Sequence, residues 1–257
     1  MEIFIVSVVA MIASALTLFS GFGLGTLLMP VVALFFPIEV AIAITAIVHL
    51  ANNLFKLILV GKNANKFVAL KFGLPAVVFA FLGALLLSWL SSMPAIYSYE
   101  IFGLENAVTP ISLIVGILIL IFVVVEISPA LAGVQLEKKY LSFGGAISGF
   151  FGGLSGHQGA LRSMFLIKAG LTKEQFIATG VVIAVLVDIA RLLIYGWDIS
   201  FGVSEFNWTL LLSACCAAFA GAYFGAKLVN KITIRSVQLI VSVMLAVVAL
   251  GMVAGLV

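Results

Sequence analysis

Long apolar runs separated by short polar linkers fill the chain from one end to the other. The runs that are hydrophobic at nearly every position are residues 2–19, 22–36, 38–60, 67–90, 108–127, 140–153, 156–170, 174–196, 207–229 and 235–256. A helix needs about 20 mostly apolar residues to cross the hydrocarbon core of a bilayer. The strands of a membrane β-barrel would alternate polar and apolar residues, whereas Ile111–Val125 is apolar on every face of a helix. The pattern therefore predicts an all-α integral membrane protein that crosses the bilayer many times.

Two pairs of neighbouring runs are too close together to be separate crossings. Only Ser20 and Gly21 separate the first run from the second, and only Leu154 and Ser155 separate the sixth from the seventh. A helix of about 15 residues is roughly 22 Å long, which is shorter than the ~30 Å hydrocarbon core. Each pair is therefore predicted to form a helical hairpin that enters the membrane and returns to the same side.

The charges of the polar linkers predict the orientation of the chain. Linkers that carry Lys or Arg are residues 61–71, 136–139 and 227–235, and linkers that carry only acidic charge are residues 91–106 and 197–206. Cytoplasmic loops of membrane proteins are enriched in Lys and Arg, so the basic linkers are predicted to be cytoplasmic and the acidic ones outside. This alternation requires residues 140–170 to return to their own side, and it places both termini outside.

The two halves of the chain are related by an offset of 135 residues. This register aligns Ser20-Gly21 with Ser155-Gly156, Asn53 with Asp188, and Lys56 with Arg191. Gly61 lies in a linker predicted to be cytoplasmic, whereas its counterpart Gly196 borders one predicted to be outside, so the halves have opposite orientations. Inverted repeats with broken helices are typical of secondary transporters. We predict two such repeats in one membrane domain, residues 1–130 and 131–257, each a helical hairpin plus three transmembrane helices.

The composition agrees with this architecture and narrows the classes of function. Hydrophobic residues make up 64% of the chain and charged residues 9%, whereas a soluble domain has about 25% charged residues. The net charge of +3 fits the basic cytoplasmic linkers and gives no reason to expect a nucleic-acid partner. The sequence has no nucleotide-binding loop or nucleophile-elbow motif, and His49 and His157 are too few for a metal site. We therefore expect neither a cofactor nor enzymatic activity.

The tips of the two predicted hairpins are the first candidate site. Both are rich in Gly, and a helix that starts at such a break exposes backbone N–H groups with partial positive charge. Two such ends facing one cavity would bind an anion. The candidate anion-binding residues at the tips are Ser20, Gly21, Phe22, Gly23, Ser155, Gly156, His157, Gln158 and Arg162. The alternative is that Gly and Ser permit tight turns and close helix packing, that Arg162 reaches a headgroup or a carboxylate, and that His157 is a packed neutral imidazole.

Polar residues within the third and eighth runs are the second candidate site. His49, Asn53 and Lys56 follow one another at helical spacing, and Asp188 and Arg191 lie three residues apart in the eighth run. We assign Asn53, Lys56 and Arg191 to substrate binding. Asp188 and His49 are candidates for proton coupling, because ionisable groups inside a membrane span are rare and usually functional. The alternatives are that Lys56 and Arg191 extend to the interface and that Asp188 only pairs with Arg191.

Short motifs at matched places in the two halves resemble the sulfite exporter TauE/SafE family of membrane permeases. These motifs are Ser20-Gly21-Phe22-Gly23, Leu27-Leu28-Met29-Pro30, Pro37-Ile38-Glu39-Val40-Ala41, Ser148-Gly149-Phe150-Phe151-Gly152-Gly153-Leu154-Ser155-Gly156 and Leu171-Thr172-Lys173-Glu174. The resemblance covers essentially the whole chain and implies transport of small sulfur-containing or organic anions such as sulfite and sulfonates. The chain departs from the family pattern at His157-Gln158 and at Arg162, and this added positive character suits an anion.

These observations together predict a secondary transporter for a small anion, most favourably a sulfite- or sulfonate-type oxyanion. The site would lie at the membrane midplane between the hairpins, and transport would proceed by alternating access in the plasma or inner membrane. The expected partners are the anion and the lipid bilayer, protons are the candidate coupling ion, and a homo-oligomer is compatible with the sequence. A passive anion channel and a non-transporting membrane assembly factor are the alternatives.

Overall fold

The computed structural model describes residues 1–20, 23–101, 103–128, 135–197, 207–228 and 234–256. Within this part of the chain, ten α-helices follow one another along the sequence. They are α1 (Glu2–Ser20), α2 (Leu24–Ala33), α3 (Ile38–Val60), α4 (Lys66–Ser91), α5 (Pro110–Ile127), α6 (Leu141–Ser155), α7 (Gly159–Leu166), α8 (Lys173–Tyr195), α9 (Trp208–Leu228) and α10 (Ile234–Ala254). Each predicted apolar run therefore contains one helix.

Four segments of the described chain are long and apolar enough to cross a membrane. They are Ile38–Asn63, Lys66–Ser91, Lys173–Tyr195 and Trp208–Gly225. The shorter apolar stretches include both members of the first predicted hairpin, Glu2–Thr17 and Leu24–Ala33. The helices of each predicted hairpin pack against each other, α1 against α2 and α6 against α7.

The linkers contain elements that were not predicted, two short 3-10 helices at Gly61–Asn63 and Lys138–Tyr140 and a β-hairpin. The acidic linker after α4 contains an antiparallel β-hairpin of β1 (Tyr97–Ile101) and β2 (Leu104–Val108), in which Tyr97 is paired with Val108. Gly103, with a φ of 79°, lies between the strands, a conformation that glycine adopts without strain. The hydroxyl of Tyr99 donates a hydrogen bond to the carbonyl of Ala254 at the end of α10. The hairpin therefore lies on the same side of the molecule as the end of α10.

Four of the helix pairs correspond to one another when the two halves of the sequence are exchanged. Helix α3 packs against its counterpart α8, and α5 packs against its counterpart α10. Helix α4 of the first half packs against α6 of the second, and α9 of the second packs against α1 of the first. On the side opposite the β-hairpin, the backbone N–H of Asn65 donates to the hydroxyl of Thr179 in α8 over 2.9 Å.

Glycines set the distance between α6 and α4. A Cβ atom added at Gly149 would lie 2.1 Å from the carbonyl oxygen of Ala76, and one added at Gly221 in α9 would lie 2.1 Å from that of Met11 in α1. Real carbon–oxygen contacts are never this short. Both of these helix pairs therefore need a hydrogen atom in place of a side chain at the crossing, as is common for helices packed in membranes.

We expect Gly149→Ala to destabilise the protein by about 1–3 kcal/mol, because α6 would have to move away from α4. The thermal unfolding midpoint of the protein in detergent measures the change. Gly73→Ala in α4 is the matched control, since a Cβ at Gly73 would meet its nearest neighbour, a Leu186 methyl group, at 3.4 Å. Equal midpoints for the two variants would contradict this account of the α4–α6 contact.

Candidate functional site

A partly open cavity lies between the end of α1, the start of α2 and helices α3, α7 and α8. Its lining combines polar and apolar side chains with two glycines. The lining residues are Thr17, Gly23, Leu24, His49, Asn53, Lys56, Arg162, Ser163, Leu166, Phe176, Ile177, Gly180 and Val181. The cavity runs from the first turns of α8 to the start of α2, and thus reaches deep between the two halves.

The cavity wall is positively charged. Lys56 from α3 and Arg162 from α7 both face it, and none of the described lining residues is acidic. Lys56 is only 5% exposed, and Nη1 of Arg162 is buried without a hydrogen-bond partner among the described residues. The ion pairs within the described chain include neither side chain. Buried cations without an ion pair are unfavourable within a membrane protein. An anion bound in the cavity would therefore be stabilised by these two side chains.

A buried carboxylate joins α3 to α8 beneath the cavity. Asp188 is fully buried. Its Oδ1 accepts hydrogen bonds from Nε and Nη2 of Arg191 at 3.0 and 2.7 Å, and its Oδ2 lies 2.6 Å from Nδ1 of His49. A carboxylate can only accept, so Nδ1 of His49 is the donor in this bond. The network therefore holds His49 of the first half against Asp188 and Arg191 of the second half.

Neighbouring asparagines on α3 have different surroundings. Nδ2 of Asn53 donates to the backbone carbonyl of His49 over 2.9 Å, and it lies 3.1 Å from Nδ1 and 3.3 Å from Nε2 of the His49 ring at the cavity wall. Asn52 points away from the cavity lining, and its Oδ1 accepts from the hydroxyl of Ser14 in α1 over 3.0 Å. Asn53 therefore belongs to the cavity, whereas Asn52 fastens α3 to α1.

The turn between α6 and α7 (the second turn) lies beyond the cavity lining. It contains Gly156, with a φ of 79°, and His157, whose ring is 5.7 Å from that of Phe122 and nearly parallel to it. Nδ1 of His157 lies 2.9 Å from the carbonyl oxygen of Ser155, while its Nε2 and both amide atoms of Gln158 are buried without a hydrogen-bond partner in the described chain.

Arg191 brings this turn and the carboxylate network together. A Cβ added at Gly156 would lie 3.0 Å from Nη1 of Arg191, and that nitrogen has no hydrogen-bond partner among the described residues. A Cβ added at Gly25, near the start of α2, would lie 3.7 Å from the carbonyl oxygen of Gly156. The second turn therefore meets both α2 and the guanidinium group of Arg191.

The structure divides the predicted site residues into two groups. Those that line the cavity are Gly23, His49, Asn53, Lys56 and Arg162. Those at or against the second turn are Ser155, Gly156, His157, Gln158 and Arg191. Ser20 is the last residue of α1, and the predicted residues Gly21 and Phe22 lie outside the described part of the chain. Arg191 is 1% exposed and pairs with Asp188, so it does not extend to the membrane interface.

Two hydroxyl residues of the cavity were not predicted. Thr17 lies about one helical turn before Ser20, and Ser163 follows Arg162 directly. A single hydroxyl in an apolar helix often bonds to its own backbone, as Ser163 does to the carbonyl of Gly159 over 3.0 Å. Their closeness to Ser20 and Arg162 was the available signal. The contact between His49 and Asp188 was not predicted either, although both residues were.

We expect Asp188→Asn to destabilise the protein by about 3–5 kcal/mol, because it leaves the guanidinium group of Arg191 buried without a counter-charge. Adding Arg191→Gln should restore part of this loss. The free energy of unfolding in mixed micelles measures both changes. Glu137→Gln is the control, since Glu137 pairs with Lys139 but is 67% exposed, and exposed pairs contribute only about 0–1 kcal/mol. A double variant less stable than Asp188→Asn would contradict the network.

Comparison with known proteins agrees with the resemblance drawn from the motifs. The family model described as sulfite exporter TauE/SafE matches residues 6–252, which is nearly the whole chain. Searches of curated proteins and of solved structures gave no match. The family consists of membrane transporters of sulfur anions, and the apolar helices of the chain fit a multi-pass membrane protein. The chain belongs to the sulfite exporter TauE/SafE family.

Proposed function

We propose that the chain is a secondary transporter for a small sulfur oxyanion of the sulfite or sulfonate type, and that this anion binds in the cavity between α3, α7 and α8. The observation that carries the proposal is the pair of cations, Lys56 and Arg162, that face the cavity with no acidic residue among its described lining. We infer the sulfur oxyanion class of the substrate from the family, and its negative charge from the cations that line the cavity.

The polar groups of the cavity suit a compact anion with several oxygens. The planar guanidinium group of Arg162 can donate two parallel hydrogen bonds to one oxyanion, and the ammonium group of Lys56 adds a point charge. The amide of Asn53 and the hydroxyl of Thr17 are on the same cavity wall and can serve further oxygens. Gly23 is at the N-terminal end of α2, where the partial positive charge of the helix favours an anion. The predicted residues Ser20, Gly21 and Phe22 precede it.

The helix packing supports alternating access between two inverted repeats, residues 1–130 and 131–257. Exchange of the halves keeps the α3–α8 and α5–α10 pairs and relates the α4–α6 pair to the α9–α1 pair, as expected for repeats related by a pseudo-twofold axis. The cavity reaches the first turns of α8, near the linker at 61–66 that the charges predict to be cytoplasmic. We infer that this structure represents the inward-facing state.

The second turn is the next binding position that we propose for the anion along its transport path. Nη1 of Arg191, Nε2 of His157 and the amide of Gln158 are buried there without partners in the described chain, and Ser155 and Gly156 complete the turn. Groups of this kind are unfavourable unless they acquire hydrogen bonds in another state. A shift of one half against the other would bring the anion from the cavity to these groups.

The passive channel and the assembly factor make different predictions from the carrier. A channel lets anions pass without any dependence on a coupling ion, and an assembly factor binds no small anion. An enzyme would need a nucleophile paired with a base, or a set of metal ligands. The hydroxyl of Ser163 in the cavity lining donates to the backbone carbonyl of Gly159, and the described residues include no group of three His, Cys, Asp or Glu that could hold a metal ion. We therefore propose transport and not catalysis.

We expect sulfite or a sulfonate to raise the thermal unfolding midpoint of the purified protein, and Arg162→Ala to weaken this binding by at least about tenfold. A ligand at 100 times its dissociation constant stabilises the native state by about 2.7 kcal/mol, and loss of one partner of a buried charge pair costs about 2–5 kcal/mol of binding. The measurement is the midpoint against a concentration series of sulfite, thiosulfate, sulfate, sulfonates and simple carboxylates.

Lys168→Ala is the matched control for this experiment, because Lys168 is an exposed cation close to Arg162 in sequence but outside the cavity lining. Its binding should equal that of the unchanged protein. If no anion shifts the midpoint of the unchanged protein, the cavity is not an anion site and the assembly factor becomes the better proposal. An equal loss in both variants would show a general effect of positive charge.

A further inference from the structure

We infer that an anion bound in the cavity is accompanied by one proton, taken up at Nε2 of His49, so that the transported load is the anion together with a proton. This inference rests on the proposed function and specifies its coupling. The proton comes from the water of the cavity, converts the neutral imidazole to imidazolium, and leaves with the anion on the other side. For a monovalent anion the load carries no net charge.

The geometry leaves one nitrogen of His49 free to titrate. Nδ1 lies 2.6 Å from a carboxylate oxygen of Asp188 and must keep its hydrogen to donate there. Nε2 is therefore the nitrogen that gains or loses a proton. A Cβ added at Gly23 would lie 3.6 Å from this Nε2, so the nitrogen lies beside the α1–α2 turn, on the wall that the anion would contact.

Asn53 does not occupy the lone pair of Nε2. Its Nδ2 lies 3.1 Å from Nδ1 and 3.3 Å from Nε2, nearly equidistant from the two ring nitrogens, and it donates to the backbone carbonyl of His49 over 2.9 Å. A protonated Nε2 needs an acceptor, and either the bound anion or the amide oxygen of Asn53 after rotation can provide one. Asn53 therefore does not fix the protonation state of Nε2 of His49.

The charges around His49 link its proton to the anion. From α3 it is faced by Lys56, from α7 by Arg162, and from α8 by Asp188 and Arg191. The described lining residues of the α1–α2 turn, Thr17, Gly23 and Leu24, carry no charge. Three cations thus oppose one carboxylate, so an imidazolium would add a fourth positive charge. An anion supplies the missing negative charge and favours the proton, and by linkage the proton favours the anion to the same extent.

Asp188 is a positioning residue in this scheme and not the proton carrier. Three N–H groups, two from Arg191 and one from His49, donate to its two oxygens. Hydrogen bonds of this kind favour the ionised carboxylate. Asp188 therefore stays charged, fixes the tautomer of His49, and holds Nε2 at the cavity wall.

The test uses methanesulfonate, whose charge does not change in the range of the experiment. Its dissociation constant for the purified full-length protein is measured by calorimetry between about pH 6 and about pH 8, where histidine changes its protonation, and in buffers that differ in ionisation enthalpy. We expect the affinity to fall as the pH rises, with a limiting slope of about tenfold per pH unit. The buffer dependence should show uptake of close to one proton per anion on the alkaline side.

One variant assigns the proton to a residue. The chain contains two histidines, so the ring-nitrogen signals of a histidine-labelled sample that disappear in His49→Gln belong to His49, and in the unchanged protein they report its protonation directly by NMR. Adding methanesulfonate at about pH 8 should convert Nε2 from the unprotonated to the protonated form. In His49→Gln the amide still donates to the anion but cannot titrate in this pH range, so the pH slope should vanish while binding persists.

The outcomes separate the inference from the proposed function. Tight methanesulfonate binding with no pH slope and no proton uptake overturns the coupling and leaves the anion site standing. A full slope in His49→Gln, or an imidazole of His49 that stays neutral when the anion binds, overturns the assignment to His49. Absence of binding of any anion at every pH contradicts the proposed function itself.

Discussion

A carboxylate buried between helices in a membrane protein must be neutralised where it lies, because water and salt do not reach it. Asp188 meets this constraint through Arg191 on its own helix and His49 on α3. The bond to His49 crosses between the two halves of the chain, so it fixes where α3 and α8 meet. The rest of the central site follows from that contact. Arg191 lies beside the turn at Gly156, and Nε2 of His49, which does not contact Asp188, lies at the cavity wall.

The packing around this centre determines where a cavity can form. Glycines let α6 approach α4, and α9 approach α1, at backbone distance, which leaves little space between those helices. The cavity forms instead beside α3, α7 and α8, where Lys56 and Arg162 form no ion pair within the described chain. A site of this kind contrasts with Asp188, whose own charge is already balanced. The buried carboxylate is thus neutralised within the protein, whereas the two cavity cations form no ion pair within the described chain.

Much of the fold could be predicted from the sequence, because a membrane span is recorded directly in the length of an apolar run. The predicted run 38–60 has the same bounds as α3, and 174–196 differs from α8 by one residue at each end. The β-hairpin at 97–108 was missed, since its strands are stabilised by pairing across Gly103 and by the contact of Tyr99 with α10. Neither is visible in an isolated polar linker.

The candidate site was predictable in its residues but not in its grouping. Asn52 and Asn53 are adjacent in sequence, yet neighbouring residues on a helix point about 100° apart, and only the packing of α1 decides which faces the cavity. His49 and Asp188 are 139 residues apart, so their contact depends on how α3 crosses α8. The division of the hairpin residues between the cavity and the second turn likewise depends on tertiary structure.

Counterflow in proteoliposomes tests directly whether the protein carries an anion through the cationic cavity by alternating access. Vesicles containing the purified protein are loaded with unlabelled sulfite and diluted into a trace of radiolabelled sulfite. We expect the label to accumulate transiently above its external concentration, as exchange through a carrier requires. Arg162→Ala should abolish this overshoot, whereas Lys168→Ala should keep it. Entry of the label to equilibrium without an overshoot would indicate a channel, and an overshoot undiminished in Arg162→Ala would show that the anion takes another path.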